Sequence, residues 1–253
     1  MISPVIKLSV SEFVLLILQN DALEFGFVKS SGEANINGFL NILIPNLVFY
    51  RQFRRRKIHD ILENQFLRTD AEKMYECVNT VIDQVYFSDA ELNRLEETIW
   101  LRPSQGKAAI FDEIESSETV ITGQCISAYI RGLLNEYCRL PQYKRESISF
   151  DDELRDFADA CATGKIFHAA VDGRSIRMFA FHYVYEYTFH QGNYLIGYNL
   201  TDHCIEAIPL HKMRNTYVVE RKFKPGAPLI SALQTYFENG QYDASVKWEE
   251  KSC

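Results

Sequence analysis

The heptapeptide RQFRRRK, Arg51 to Lys57, puts five cations into seven residues around one aromatic ring, Phe53. Guanidinium and ammonium groups at that density suit phosphate oxygens, so Arg51, Arg54, Arg55, Arg56 and Lys57 are candidate backbone clamps for a nucleic acid. The same run also suits the solvated end of a helix, where cations complement the macrodipole. A second set lies further along the chain, where Arg174, Arg177, Lys212, Arg214, Arg221 and Lys222 are close in sequence to Tyr183, Tyr185, Tyr194 and Tyr198. Cationic grooves with aromatic stacking platforms are how single strands are held. From this set Arg174, Arg177, Tyr183, Tyr194, Lys212 and Arg214 are taken as candidate contacts; the alternative is that the tyrosines fill a core and the cations are solvated.

Catalytic and metal chemistry find less support. Five of the six histidines, His168, His182, His190, His203 and His211, fall in one region, yet without HxH or HxxxH spacing. Adjacent His203 and Cys204 would point to opposite faces of a strand, which argues against one metal. The acids Asp151, Asp152, Glu153 and Asp156 read as a helix start facing the dipole rather than a magnesium site. No GxSxG, Walker loop or GxGxxG occurs. The expectation is a protein that is not an enzyme and needs no cofactor. The six cysteines are scattered without a CxxC pair and read as reduced thiols, with cytoplasm as the default location.

The formal net charge of -7 hides an uneven distribution: -10 between residues 61 and 160, against +2 before and +1 after. An acidic total weakens a nucleic-acid reading without excluding it, because counterion release depends on local Lys and Arg. No apolar run approaches the roughly 18 residues that a membrane span needs, and the N-terminus lacks the layout of a signal peptide. No membrane partner is expected.

The elements that must carry these groups begin with a repeat. INGFLNILIPNLVFYRQFRR, from Ile36, lies on ISAYIRGLLNEYCRLPQYKR, from Ile126, without gaps. Apolar or aromatic residues coincide at Ile36/Ile126, Phe39/Tyr129, Leu40/Ile130, Leu43/Leu133, Ile44/Leu134 and Leu47/Tyr137, one face of an amphipathic helix used twice. Upstream of each copy lies a short alternating stretch, VIKLSV from Val5 and TIWLRP from Thr98, followed by Ser11 or Ser104 and a helical run. Each half reads strand, helix, helix. That order resembles the ribbon-helix-helix family, whose paired strands form a ribbon able to enter a DNA groove. The resemblance implies a pseudo-dimer within one chain, with Ile6, Leu8, Ile99 and Leu101 inward and Lys7, Ser9, Trp100 and Arg102 outward. Arg102 joins the candidate contacts. Between the copies, the segment from Ile58 reads as two or three polar helices.

From Ile166 the pattern changes to period two: IFHAAV, a DGR turn, SIRMFAFHYVYEYTFH, a QGN turn, YLIGYN, TDH and CIEAIPLHKMRNTYVVERKF. About five antiparallel strands without an intervening helix suggest a small twisted barrel, and PGAPLISALQTYFENG reads as a helix from a proline to a glycine. YLIGYN, Tyr194 to Asn199, followed by AIPLHKMRNTYVVERKF, Ala207 to Phe223, resembles the WYL-domain family, an Sm-like or SH3-like barrel. Its Trp-Tyr-Leu triplet stands here as Asn193-Tyr194-Leu195, without the tryptophan. With AYIRGLLNEYCRLPQYKRE leading into SISF, the chain is also similar to the accessory WYL proteins of type VI-D CRISPR systems, which bind single-stranded RNA.

The expected architecture is therefore α+β: a mostly helical tandem ribbon-helix-helix-like domain over 1–160, a WYL barrel over 161–225, and a C-terminal helix and tail over 226–253. The resemblance implies a non-enzymatic regulator that binds nucleic acid, single-stranded RNA before duplex DNA, and modulates a CRISPR effector ribonuclease. Two alternatives stand beside it: a WYL-type transcriptional regulator that binds duplex DNA and senses a ligand, and a docking module with no nucleic-acid role. A homodimer through the helix from Pro228 is left open.

Overall fold

The computed structural model describes residues 5–65, 68–87, 97–185, 192–240, 242 and 245–248. The chain divides into two compact units, Met1–Pro141 and Gln142–Cys253.

In the first unit, β1 (Ile6–Val10) pairs antiparallel with β2 (Glu97–Leu101), Lys7 opposite Trp100 and Leu8 opposite Ile99. Alternation does what period two requires: Ile6, Leu8, Ile99 and Leu101 are buried, while Lys7 and Trp100 are exposed. Ser11 caps α1 (Glu12–Glu24), its hydroxyl accepting the N–H of Val14 at 3.3 Å. After α1 come α2 (Ile36–Gln65) and α3 (Arg68–Phe87); after β2 come α4 (Ala108–Thr122) and α5 (Ile126–Cys138). The strand, helix, helix order thus occurs twice. Both copies of the repeat begin a helix at their first residue, Ile36 and Ile126. The coincident pairs from Phe39/Tyr129 to Leu47/Tyr137 are buried throughout. Burial of each large apolar side chain contributes roughly 1.5–3 kcal/mol relative to exposure, so this doubled face is the core of the unit.

Three local expectations change. The second copy stops at Cys138 because Pro141, which stands where the first copy has Arg51, has no N–H and disfavours helix before it. The first copy has no such stop, and α2 runs unbroken past Ile58, where a separate helix was expected. Ser104 opens a turn, accepting the N–H groups of Lys107 and Ala108, and α4 begins only at Ala108. Of the segment expected to form two or three polar helices from Ile58, residues 66, 67 and 88–96 lie outside the described residues.

The second unit opens with α6 (Gln142–Ser149) and α7 (Asp151–Thr163), then β3 (Lys165–Val171), β4 (Arg174–Val184), β5 (Tyr194–Asn199), β6 (Cys204–Pro209), a 3-10 turn at Leu210–Lys212, β7 (Met213–Lys222), α8 (Ala227–Asn239) and β8 (Val246–Lys247). All pairings are antiparallel, in the order β7-β3-β4-β5-β6-β8. Among the described residues the ladder does not return from β8 to β7, so the strands form an open sheet rather than a closed barrel. Asp172 and Gly173, at φ 48° and 78°, make the tight turn expected of DG. Gly197 is obligatory: a Cβ there would fall on the carbonyl oxygen of Phe179 and the side chain of Met178. Phe157 of α7 meets Phe167 of β3 edge-on at 5.3 Å, which covers one sheet face. On the other face α8 contributes Leu229, Leu233 and Tyr236 to a cluster with Ile196, Tyr198 and Ile205. Residues 142–160, assigned from sequence to the helical region, thus pack with the sheet. No helix among the described residues is long and apolar enough to cross a membrane.

Candidate nucleic-acid interface

The basic block on α2 separates into two classes. Arg51 is 2% exposed, its guanidinium 5.6 Å from the ring of Tyr129. Arg54 forms an ion pair with the buried carboxylate of Glu136 and lies 5.8 Å from the ring of Tyr50. Both follow the core-facing Leu47 and Val48 by three or four residues or a further turn, so helical period carries them inward. Arg51 cannot act as a phosphate clamp, a correction to the expectation for the run. Arg55 is half-buried, and Arg56 and Lys57 are exposed.

On the ribbon, the ammonium of Lys7 lies 5.6 Å from the exposed indole of Trp100. The exit from β2 is held by two asparagines one turn apart on α2. Asn37 accepts the N–H of Arg102 at 2.8 Å; Asn41 donates to the Arg102 carbonyl at 3.0 Å and accepts the N–H of Ser104 at 2.7 Å. Arg102, exposed, is thereby fixed in its backbone with its side chain free to reach outward.

In the second unit one row crosses three strands. Register sets Tyr217 of β7 and Arg177 of β4 on either side of His168 of β3. The rings of His168 and Tyr217 are stacked, with centroids 4.4 Å apart and an interplanar angle of 20°. Ser175 Oγ lies 3.0 Å from His168 Nε2 and fixes the imidazole from the side. Tyr217 is 51% exposed and Arg177 is exposed, so the row carries a π-face at one end and a guanidinium at the other, with His168 between them. That combination can stack a base and hold its phosphate. Tyr217 was missed from sequence, because its meeting with His168 depends on the irregular register between His168 and Ala170.

The remaining expected residues have other places. Arg174 is exposed at the start of β4, and Lys212 lies 3.6 Å from Asp172 across the hairpin corner. Arg214 turns back on its own corner, donating to the carbonyls of His211 and Met213 at 2.6 Å each, with its guanidinium 5.0 Å from the ring of Phe150. Burial lowers its pKa, opposed by the Glu153 carboxylate. Tyr183 pairs with Leu195 and Tyr194 with Val184, so these two tyrosines point to opposite faces. Tyr194 stands 5.8 Å from Tyr242 beside the α8 cluster. Tyr183 joins Tyr185 at 5.7 Å, and Tyr185 stacks with Tyr143 at 6.1 Å, with Lys144 reaching 5.4 Å from both of the latter rings. Burial, then the neighbouring Tyr185, raises the Tyr183 phenol.

Among the described residues, the group able to offer three metal ligands is His59, Asp60 and Glu63 on α2. His59 Nδ1 lies 3.7 Å from Glu63 Oε2, an ordinary ion-pair spacing on a helix face.

No family model matches the chain, and no curated protein matches its sequence. Among solved structures, the crystal structure of a CRISPR Cas-related protein aligns with a TM-score of 0.64 over 91% of this chain. The two share a fold. At 12% identity the likeness is one of architecture, and the match spans 66% of the other chain's length.

Proposed function

We propose that the chain is a non-enzymatic, cytoplasmic nucleic-acid-binding regulator that holds single-stranded RNA on the sheet of its second unit and modulates a type VI-D CRISPR effector ribonuclease. The observation that carries the reading is the Tyr217, His168 and Arg177 row, a stacked ring pair flanked by a cation on the next strand. The fold shared with a CRISPR Cas-related protein supports the setting. In this reading the first unit is a tandem ribbon-helix-helix-like scaffold and the second an opened relative of the WYL barrel. Fluorescence anisotropy of a labelled RNA oligonucleotide against Tyr217→Ala and Arg177→Glu tests it: the variants lose affinity if the row binds the strand.

A second reading assigns duplex DNA to the ribbon, favoured by the exposed Lys7 and Trp100 pair beside Arg102. Duplex binding that falls in Trp100→Ala and Arg102→Glu, with RNA binding absent, would decide for it.

A further inference from the structure

The sheet face packed by α8 also carries a cavity of about 620 Å³ that the row above does not use. Its wall includes Tyr198, His203, Phe223, Lys224, Leu229 and Trp248. Such a volume falls within the roughly 300–1,000 Å³ typical of small-ligand sites, and the lining has the usual composition: aromatic walls with a few directed polar groups.

The polar groups are held in place from below. Asn199 Oδ1 accepts the N–H groups of Thr201 at 2.8 Å and Asp202 at 3.1 Å, while its amide donates to Asp202 at 3.0 Å and Glu206 at 2.7 Å. This closes the β5–β6 turn and brings His203 to φ 53°, a left-handed conformation that side chains other than glycine seldom adopt. There His203 Nδ1 meets the Tyr198 hydroxyl at 3.1 Å, and the His203 carbonyl accepts the N–H of Trp248 at 3.0 Å. Phe223 stands 6.0 Å from Tyr198 and 5.5 Å from Phe179. Lys224 is exposed at the rim, and its ammonium has no ion pair among the described residues.

We infer that this cavity receives one nucleobase, stacked against the Tyr198, Phe223 and Trp248 rings, with its 5′-phosphate drawn to Lys224. A planar heterocycle uses the aromatic walls, and the imidazole and phenol supply hydrogen-bonding groups for its edge. An ammonium exposed at the mouth attracts an anion. A free mononucleotide and the terminal residue of a strand share this chemistry. The site is separate from the His168 and Tyr217 row, so it can fail or stand without it.

The chain has two tryptophans, Trp100 and Trp248, and Trp100→Phe leaves Trp248 as the sole indole reporter. In that background, UMP and AMP quench Trp248 emission whereas ribose 5-phosphate does not. Lys224→Ala, an exposed change, weakens UMP at least about tenfold and leaves uridine unaffected; Phe223→Ala weakens both. A hexaribonucleotide is compared with the same strand ending in an abasic residue. Quenching by mononucleotides makes the free nucleotide a ligand, and quenching only by the base-terminated strand makes the ligand a strand end; either supports the site. Silence of Trp248 towards all base-containing ligands at millimolar concentration, or an equal response to ribose 5-phosphate, overturns it. In the Tyr217→Ala protein, where the ring of the row is gone, quenching of Trp248 by a strand reports on the cavity alone, and the loss of anisotropy reports on the row.

Discussion

Glu146 accepts Asn193 twice through one oxygen, from the main-chain N–H at 2.7 Å and the side-chain amide at 2.8 Å. Its other oxygen accepts the N–H of His211 at 3.1 Å and lies 2.8 Å from His211 Nδ1. One buried carboxylate thus ties the start of β5 and the corner before β7 to α6. The Asn193 amide fills a 1%-exposed site facing that carboxylate. Glu146→Ala should lower unfolding free energy by about 3 kcal/mol, because several buried donors lose their acceptor at once. Asn193→Trp should also destabilise. Urea denaturation reads both, and a loss below about 1 kcal/mol for Glu146→Ala would contradict the role given to the carboxylate.

Gly197 tolerates no side chain. Gly197→Ala sets a methyl against the Phe179 carbonyl in the middle of the sheet and should cost about 2 kcal/mol or more, seen as a lower Tm or loss of soluble protein. Gly192→Ala, whose Cβ would meet Glu146 Oε2 at 3.5 Å, should be milder.

The five-cation run should divide under mutation as it divides in space. Arg51→Ala removes a buried cation from the Tyr129 ring and should cost about 2 kcal/mol or more. Arg56→Glu and Lys57→Glu, on the exposed side, should change stability by no more than about 0.5 kcal/mol. Equal effects at all three positions would show that helical period does not sort this block.

Thiol chemistry supplies a pH test. Cys125, exposed at the start of α5, lies 3.3 Å from the Ser127 hydroxyl; that contact and the N–H of Ala128 hold its pKa below the ordinary thiol value. Burial pushes Cys161 up to about 12 and Cys204 up to about 11. Only the thiolate is nucleophilic, so alkylation of Cys125 should already be fast at pH values below the usual thiol range, while Cys161 and Cys204 stay protected until well above it. Mass spectrometry of iodoacetamide-treated protein across pH checks the order; early labelling of Cys161 or Cys204 would contradict it.

Much of the first unit was legible because its signals are local. The gapless repeat located both helix starts, and alternation sorted Lys7 and Trp100 from Ile6 and Leu101. The burial of Arg51 was also available from its spacing after Leu47, but local charge density pointed the other way. In the second unit the strands and the Asp172-Gly173 turn were readable, whereas closure of the sheet was not, since it depends on which strands meet at the ends. The His168 and Tyr217 stack joins strands 49 residues apart through an irregular register, which no periodicity encodes. Tyr194, chosen for its motif, went to the α8 cluster because adjacent strand residues alternate faces.

The most direct test of the central claim is anisotropy of a labelled single-stranded RNA at two salt concentrations, with wild type, Tyr217→Ala and Arg177→Glu side by side. Stacking on the exposed ring predicts a loss of about tenfold or more for Tyr217→Ala at both salts. A phosphate contact at Arg177 predicts a loss for Arg177→Glu with a salt slope shallower by about 0.7. RNA affinity unchanged in both folded variants, or no RNA binding by the wild type, would contradict the assignment of this sheet face to a nucleic acid.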